Sequence, residues 1–304
     1  LDRAARTLSG LLEDGTRTVN FNAWLPEDSA AGYAGNYTFA MKSPSSGDAP
    51  RGHSVGALKV TPKGAVSGVI RLADGTPAVT LSGPLGEGGN LPVFALLYTK
   101  LGSLHGTLNI GAGSALDGSS LSWFKHPQTG ARSYPGGFGP LALATVGRTY
   151  AIPLLNGIAL GLPAGAGNAR LTFAEGGAPD PVTRLDWLSF EIQKGSPAKV
   201  VPPAGNPGQV KLTIVPGSGV TFTPGMTGSF TGSFKLTDAD TSVTPNKPLS
   251  RTASFSGMIV DDGTGPKGYG FFNLAEMPSA GPPKTTAATT RLLSGTVDLR
   301  STAP

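Results

Sequence analysis

The stretch Phe230-Thr231-Gly232-Ser233-Phe234-Lys235-Leu236 alternates apolar and polar residues with period two and sets a glycine into its apolar side. Phe230, Gly232, Phe234 and Leu236 share one face and Thr231, Ser233 and Lys235 the other, as in a strand with one face in a core and one in water. The same phase recurs in Leu8-Ser9-Gly10-Leu11-Leu12, Val66-Ser67-Gly68-Val69-Ile70, Leu81-Ser82-Gly83, Leu104-His105-Gly106-Thr107-Leu108, Phe255-Ser256-Gly257-Met258-Ile259 and Leu293-Ser294-Gly295-Thr296-Val297. Glycine weakens a strand, so its return to the inner face needs a cause. It removes a side chain where the sheet bends sharply or where a large neighbour lies over the backbone. Small, strongly curved barrels or sandwiches need this, and the Ser or His before each glycine is expected on a wet outer face.

Strands follow one another at spacings of about ten residues, separated by Asp-Gly and Gly-Gly turns, which predicts antiparallel meanders. With 45 Gly, 27 Pro and 14% charged residues in 304, the chain favours short strands over helices, and no stretch carries a long amphipathic helix. The predicted fold is all-β: two tandem, duplicated antiparallel β-barrel or sandwich modules with glycine-kinked strands. The duplication rests on order and phase. Val210–Pro216 matches Ala57–Pro62, Phe230–Asp238 matches Val66–Asp74, Ser254–Val260 matches Thr80–Gly86, Gly268–Leu274 matches Leu91–Leu97, and Leu292–Leu299 matches Ser103–Ile110. The expected division is N-terminal strands of a partial repeat at 1–32, a first module at 33–133, a bridge at 134–167 and a second module at 168–304. Thr7–Thr16 matches Ser254–Thr264, so either the chain opens partway through a repeat or its first strands complete a later barrel. The Pro-rich Gly195–Gly208 reads as a loop inside the second module, and Thr241–Pro248 and Pro278–Thr286 as surface loops.

Several function classes lack their chemistry. There is no cysteine, hence no disulfide framework, thiolate metal site or cysteine nucleophile. The three histidines, His53, His105 and His126, have no metal-ligand spacing. The net charge of +5 is spread over isolated Lys and Arg without interleaved aromatics, which points away from nucleic acid and suits an anionic envelope or polysaccharide. No apolar run reaches the roughly 18 residues of a membrane helix. Gly263–Gly268 lacks the Gly-Lys-Ser/Thr order of a phosphate loop, and no Gly-x-Ser-x-Gly elbow is present. No catalytic residues and no cofactor are assigned, and an enzyme is not expected.

Two constellations remain. Asp238 and Asp240, with Asp261 and Asp262, offer oxygen ligands to Ca²⁺, although Asp is also what hairpin turns demand. Trp24, Trp123, Trp187 and Tyr269 could stack on a sugar, or cover the inward glycines in the core.

Gly35–Phe39, Ser67–Thr76, Asn90–Phe94, Gly102–Leu108 and Leu121–Trp123 together resemble β-repeat modules of large secreted or cell-surface, autotransporter-like proteins of environmental bacteria, often found near immunoglobulin-like domains. Phe230–Asp238 and Phe255–Val260 resemble the partner module that follows. The resemblance spans most of 33–300 and carries no site residues. It implies an extracellular or cell-surface location and a non-enzymatic structural, assembly or adhesive role, with copies of itself or other surface subunits as partners. Carbohydrate binding to envelope or extracellular polysaccharide is the alternative.

Overall fold

The structure, a computed structural model, describes the chain outside residues 1, 5, 14, 17, 28–29, 45–46, 117–118, 155–156, 178–187, 219–220 and 303–304. It is all-β. A hairpin of β1 (Thr7–Glu13) and β2 (Thr18–Trp24) precedes two eight-stranded antiparallel sheets. The first contains β3 (Gly35–Lys42), β4 (Ser54–Val60), β5 (Ala65–Arg71), β6 (Val79–Pro84), β7 (Asn90–Leu97), β8 (Gly102–Asn109), β9 (Ser120–Lys125) and β10 (Phe138–Thr149). The second contains β11 (Ala169–Glu175), β12 (Leu188–Gly195), β13 (Ala198–Val201), β14 (Lys211–Val215), β15 (Ser229–Asp240), β16 (Lys247–Asp261), β17 (Pro266–Ala275) and β18 (Leu292–Ser301).

Each sheet is a meander curled into a nearly closed barrel. Its first and last strands pair, β3 with β10 and β11 with β18, and one seam without ladder hydrogen bonds remains, between β6 and β7 or between β13 and β14. Three expectations change here. The bridge expected at 134–167 contains β10, which pairs with both β9 and β3 and so closes the first barrel. Leu141 and Leu143 supply its inward face, in an alternation interrupted by Gly139-Pro140 and Gly147. Ala198–Val201, inside the expected Gly195–Gly208 loop, forms the short β13. Finally, β1 and β2 complete neither barrel, because each barrel closes with its own terminal strands. The repeat match also aligns β4 with β14, although β4 is the second strand of its meander and β14 the fourth. The offset is one hairpin, which preserves strand direction and face, so the sequence pattern matches equally well.

Four inward glycines lie under aromatic rings contributed by the residue directly across the ladder, whereas a Cβ at Gly68 or Gly106 would meet ladder backbone and one at Gly83 would meet nothing within 4 Å. Gly232 pairs with Phe255, Gly257 with Phe230, Gly295 with Phe272 and Gly56 with Phe39, and a methyl at any of the four glycines would overlap that ring. In the second barrel Phe255 and Phe272, together with Phe234, converge on Phe173, whose centroid lies 4.6 Å from Phe234, 5.3 Å from Phe255 and 6.0 Å from Phe272. The glycine therefore makes room for a phenylalanine in an interior too narrow for two side chains at one level.

The outer faces are not all wet. Ala40, Val55 and Ala57, which face out from β3 and β4, pack with Met258, Val260 and Tyr269 of β16 and β17 and with Phe222, joining the barrels through a shared apolar cluster. Polar bonds reinforce it: the Thr38 hydroxyl donates to the Ile259 carbonyl (2.6 Å), and the Gly52 N–H to Ser294 Oγ (3.1 Å). Ser294, expected on a solvated face, is fully buried, and its own N–H donates to the Tyr134 hydroxyl (2.9 Å).

Candidate functional site

The hairpin has the inner-face pattern of a barrel strand pair and no barrel. Its register places Leu8 opposite Ala23, Gly10 opposite Phe21 and Leu12 opposite Val19, so these six residues share one face. Phe21 covers Gly10, as the phenylalanines do in the barrels. Yet Leu8, Leu12 and Val19 are 43%, 61% and 56% exposed. On the other face Thr7, Ser9, Glu13, Thr18 and Asn20 are polar, with Leu11 also exposed. A lone two-stranded sheet is marginal in water, and covering these three side chains would contribute on the order of 3 kcal/mol.

The hairpin is fastened at its base. Leu25–Glu27 runs antiparallel to Leu85–Glu87, with Glu27 N–H donating to Leu85 O (2.8 Å) and Glu87 N–H to Leu25 O (3.0 Å). Arg6 bridges the same corner through Glu87 (2.8 Å) and the Pro26 carbonyl (2.7 Å). The apolar face is thus carried away from the barrel wall and held there by charged and backbone bonds. In the sequence it is announced by the alternation of 19–23 and by the match of Thr7–Thr16 to Ser254–Thr264.

The four aspartates do not converge. Asp238 and Asp240 end β15, beside the start of β16, and Asp261 and Asp262 lie at the far end of β16; at about 3.3 Å per residue the 15-residue strand sets the two pairs tens of ångströms apart. Each is also engaged. Asp238 is paired with Arg251 (2.9 Å), Asp240 accepts from the Ser242 hydroxyl and N–H, which hold it below its ordinary value, and Asp261 accepts the Gly263 N–H (2.8 Å). Asp262 binds Lys267 (3.0 Å) and the Tyr269 hydroxyl (2.7 Å). Burial pushes its carboxyl up, but the hydrogen bonds from Tyr269, Thr264 and Lys267 prevail and hold it well below the usual carboxylate range. No group of three or more His, Asp or Glu side chains arranged to hold a metal occurs among the described residues.

The aromatic platform does not form either. Trp123 is fully buried inside the first barrel, and its indole N–H donates to the Tyr98 hydroxyl (3.0 Å), which in turn donates to Asp74 (2.7 Å). Tyr269 is buried at the junction, and Trp24 is half-buried against Gly86. Trp187 lies outside the described residues. Of the histidines, His105 and His126 are exposed, while His53 sits at the junction edge-on to Tyr269 (5.5 Å). Gly263–Gly268 belongs to the β16–β17 turn and the start of β17, with no helix behind it.

The buried polar chain at the first barrel's mouth includes Lys125, whose ammonium lies 4.7 Å from the Tyr98 ring centre and donates to the Ser133 carbonyl; burial lowers its pKa. Burial likewise raises the Tyr134 phenol to about 12 and pushes up those of Tyr37, Tyr98, Tyr150 and Tyr269. Since the fold favours the neutral phenol, this stabilisation is complete below the unfolded-state value of 10.0 and is lost as pH rises through the folded-state values. Ultraviolet titration is therefore expected to show most tyrosines un-ionised at a pH where the urea-unfolded chain is fully ionised, with unfolding free energy falling between pH 10 and 12. Coincident titration of folded and unfolded chains would contradict the burial.

No protein-family model matches this chain, and no curated protein does. Among solved structures, a protein of unknown function from the DUF3598 family of Nostoc punctiforme PCC 73102 aligns over 91% of this chain and 100% of its own, at 11% identity and a TM-score of 0.19, a likeness too low to carry an argument.

Proposed function

We propose that this chain is a non-enzymatic assembly module of a secreted or cell-surface structure, and that the β1–β2 hairpin is its joining arm. One observation carries this: a hairpin with an apolar face of barrel-strand pattern, anchored at its base and covered by neither barrel. The two barrels, joined by a buried cluster, serve as the rigid body that presents it. Its partner is the β-sheet of another copy or of a neighbouring subunit, which would cover Leu8, Leu12 and Val19 and extend the hairpin's free edges. The glycine-rich, cysteine-free composition suits an extracellular setting. Of the aromatic residues considered for polysaccharide stacking, Trp24 alone is partly accessible among those described, so the assembly role is preferred.

Light scattering and negative-stain microscopy of the full chain and of a chain lacking residues 1–25 test this directly. Large or regular particles are expected from the first and single particles with unchanged circular dichroism from the second. The Leu8→Ser/Leu12→Ser protein, which keeps the base bonds, is expected to behave like the deletion. Particle size unaffected by both changes would reject the joining arm.

A further inference from the structure

A cavity beside the β16–β17 turn is separate from the hairpin. After β10, connector residues 150–154 and 157–164 lie beside the β16–β17 turn and border a cleft of about 630 Å³, within the range of small-molecule sites. Its walls are aliphatic: Ile152, Ile158, Leu160 and Leu162 from the connector, Ile259 and Pro266 from the second barrel. Leu160 is held with φ +61° and its side chain buried, a left-handed conformation that a leucine keeps only where its surroundings fix it.

The polar lining is sparse and directional. The Tyr150 hydroxyl is committed to the Pro216 carbonyl (2.7 Å). Asp261 is the one charged side chain lining the cleft among the described residues. Its Oδ1 accepts the Gly263 and Gly265 N–H groups (2.8 and 3.3 Å), while its Oδ2 has no hydrogen-bond donor among the described residues. The neighbouring Asp262 is neutralised by Lys267, and Arg148, which passes over Gly263, makes no ion pair with Asp261. An apolar cleft whose lining includes a single carboxylate residue, with only one of its two oxygens engaged by donors among the described residues, has a defined complement.

We propose that this cleft binds a small apolar molecule with a single ammonium head, the hydrocarbon against the aliphatic walls and the head on Asp261 Oδ2. Opposite charge places the head, and burial of hydrocarbon supplies most of the affinity.

Titration calorimetry of the full chain with dodecylammonium at neutral pH, below its micelle concentration, is the test. One saturable site per chain is expected. Asp261→Asn should weaken it about tenfold, as loss of a charge-assisted bond does, and Ile158→Asp should abolish it. The Leu8→Ser/Leu12→Ser protein should bind unchanged, which separates the cleft from the hairpin and leaves the assembly role to its own experiment. Absence of saturable binding, equal affinity for dodecanoate, or binding indifferent to both Asp261→Asn and Ile158→Asp would overturn the proposal.

Discussion

The Gly257→Ala protein is expected to lose about 2–3 kcal/mol of stability, the upper part of the range for one added methyl in a packed core. Gly257 stands between Phe230 on β15 and Gly270 on β17. A Cβ there would overlap the Phe230 ring and lie 2.5 Å from the Tyr269 carbonyl oxygen. Neither neighbour yields easily: Phe230 is fully buried, and the carbonyl belongs to the ladder backbone. The φ of Gly257 is not positive, so lack of space alone sets the effect. Urea unfolding should show a lower midpoint with an unchanged slope. Phe230→Ala alone should lose about 3–5 kcal/mol, and the double variant less than the sum, because removing the ring relieves half of the collision. A loss below about 0.5 kcal/mol for Gly257→Ala, within the range of ordinary surface changes, would mean the ring is free to move.

For Asp238→Ala the expected loss is about 3–5 kcal/mol, from stranding a buried cation. Arg251 Nε and NH2 both lie 2.9 Å from Asp238 Oδ2, and the two side chains are only 2% and 10% exposed. Arg251 also donates to the Ala275 carbonyl, tying the start of β16 to the end of β17. Removing the carboxylate leaves the guanidinium desolvated with one backbone acceptor. Replacing both partners with apolar residues, Asp238→Leu with Arg251→Met, removes both charges and should leave stability within about 1–2 kcal/mol of the parent. Thermal unfolding of the three proteins distinguishes the cases. If Asp238→Ala and the double variant were equally stable, the pair would be solvated rather than buried.

The all-β class and a duplicated pair of antiparallel modules, barrel or sandwich, are legible in the order of residues, and so is a cause for several of the inward glycines. Period-two alternation states which face of a strand is apolar, and an inward glycine states that something large lies over it. Gly232 under Phe255 and Gly295 under Phe272 follow from that logic. The phase of Leu121 and Trp123 likewise sends the tryptophan inward, away from a sugar platform.

Alternation does not state what covers a face. Ala40, Val55 and Ser294 occupy outward positions in ordinary strand patterns, and only the second barrel against the first turns them into buried contacts. The apolar face of β1–β2 has the same pattern as strands inside a barrel, and only the topology leaves it bare. Asp238 reads as a turn residue until folding brings the chain back from Asp240 through Lys247 and sets Arg251 beside it. The cleft at Asp261 exists because a connector and a hairpin about a hundred residues apart in sequence come together. Side-chain periodicity is a local property, set by the backbone within each strand. Closure, docking and burial of the outer face depend on contacts between distant segments, which only the tertiary structure supplies.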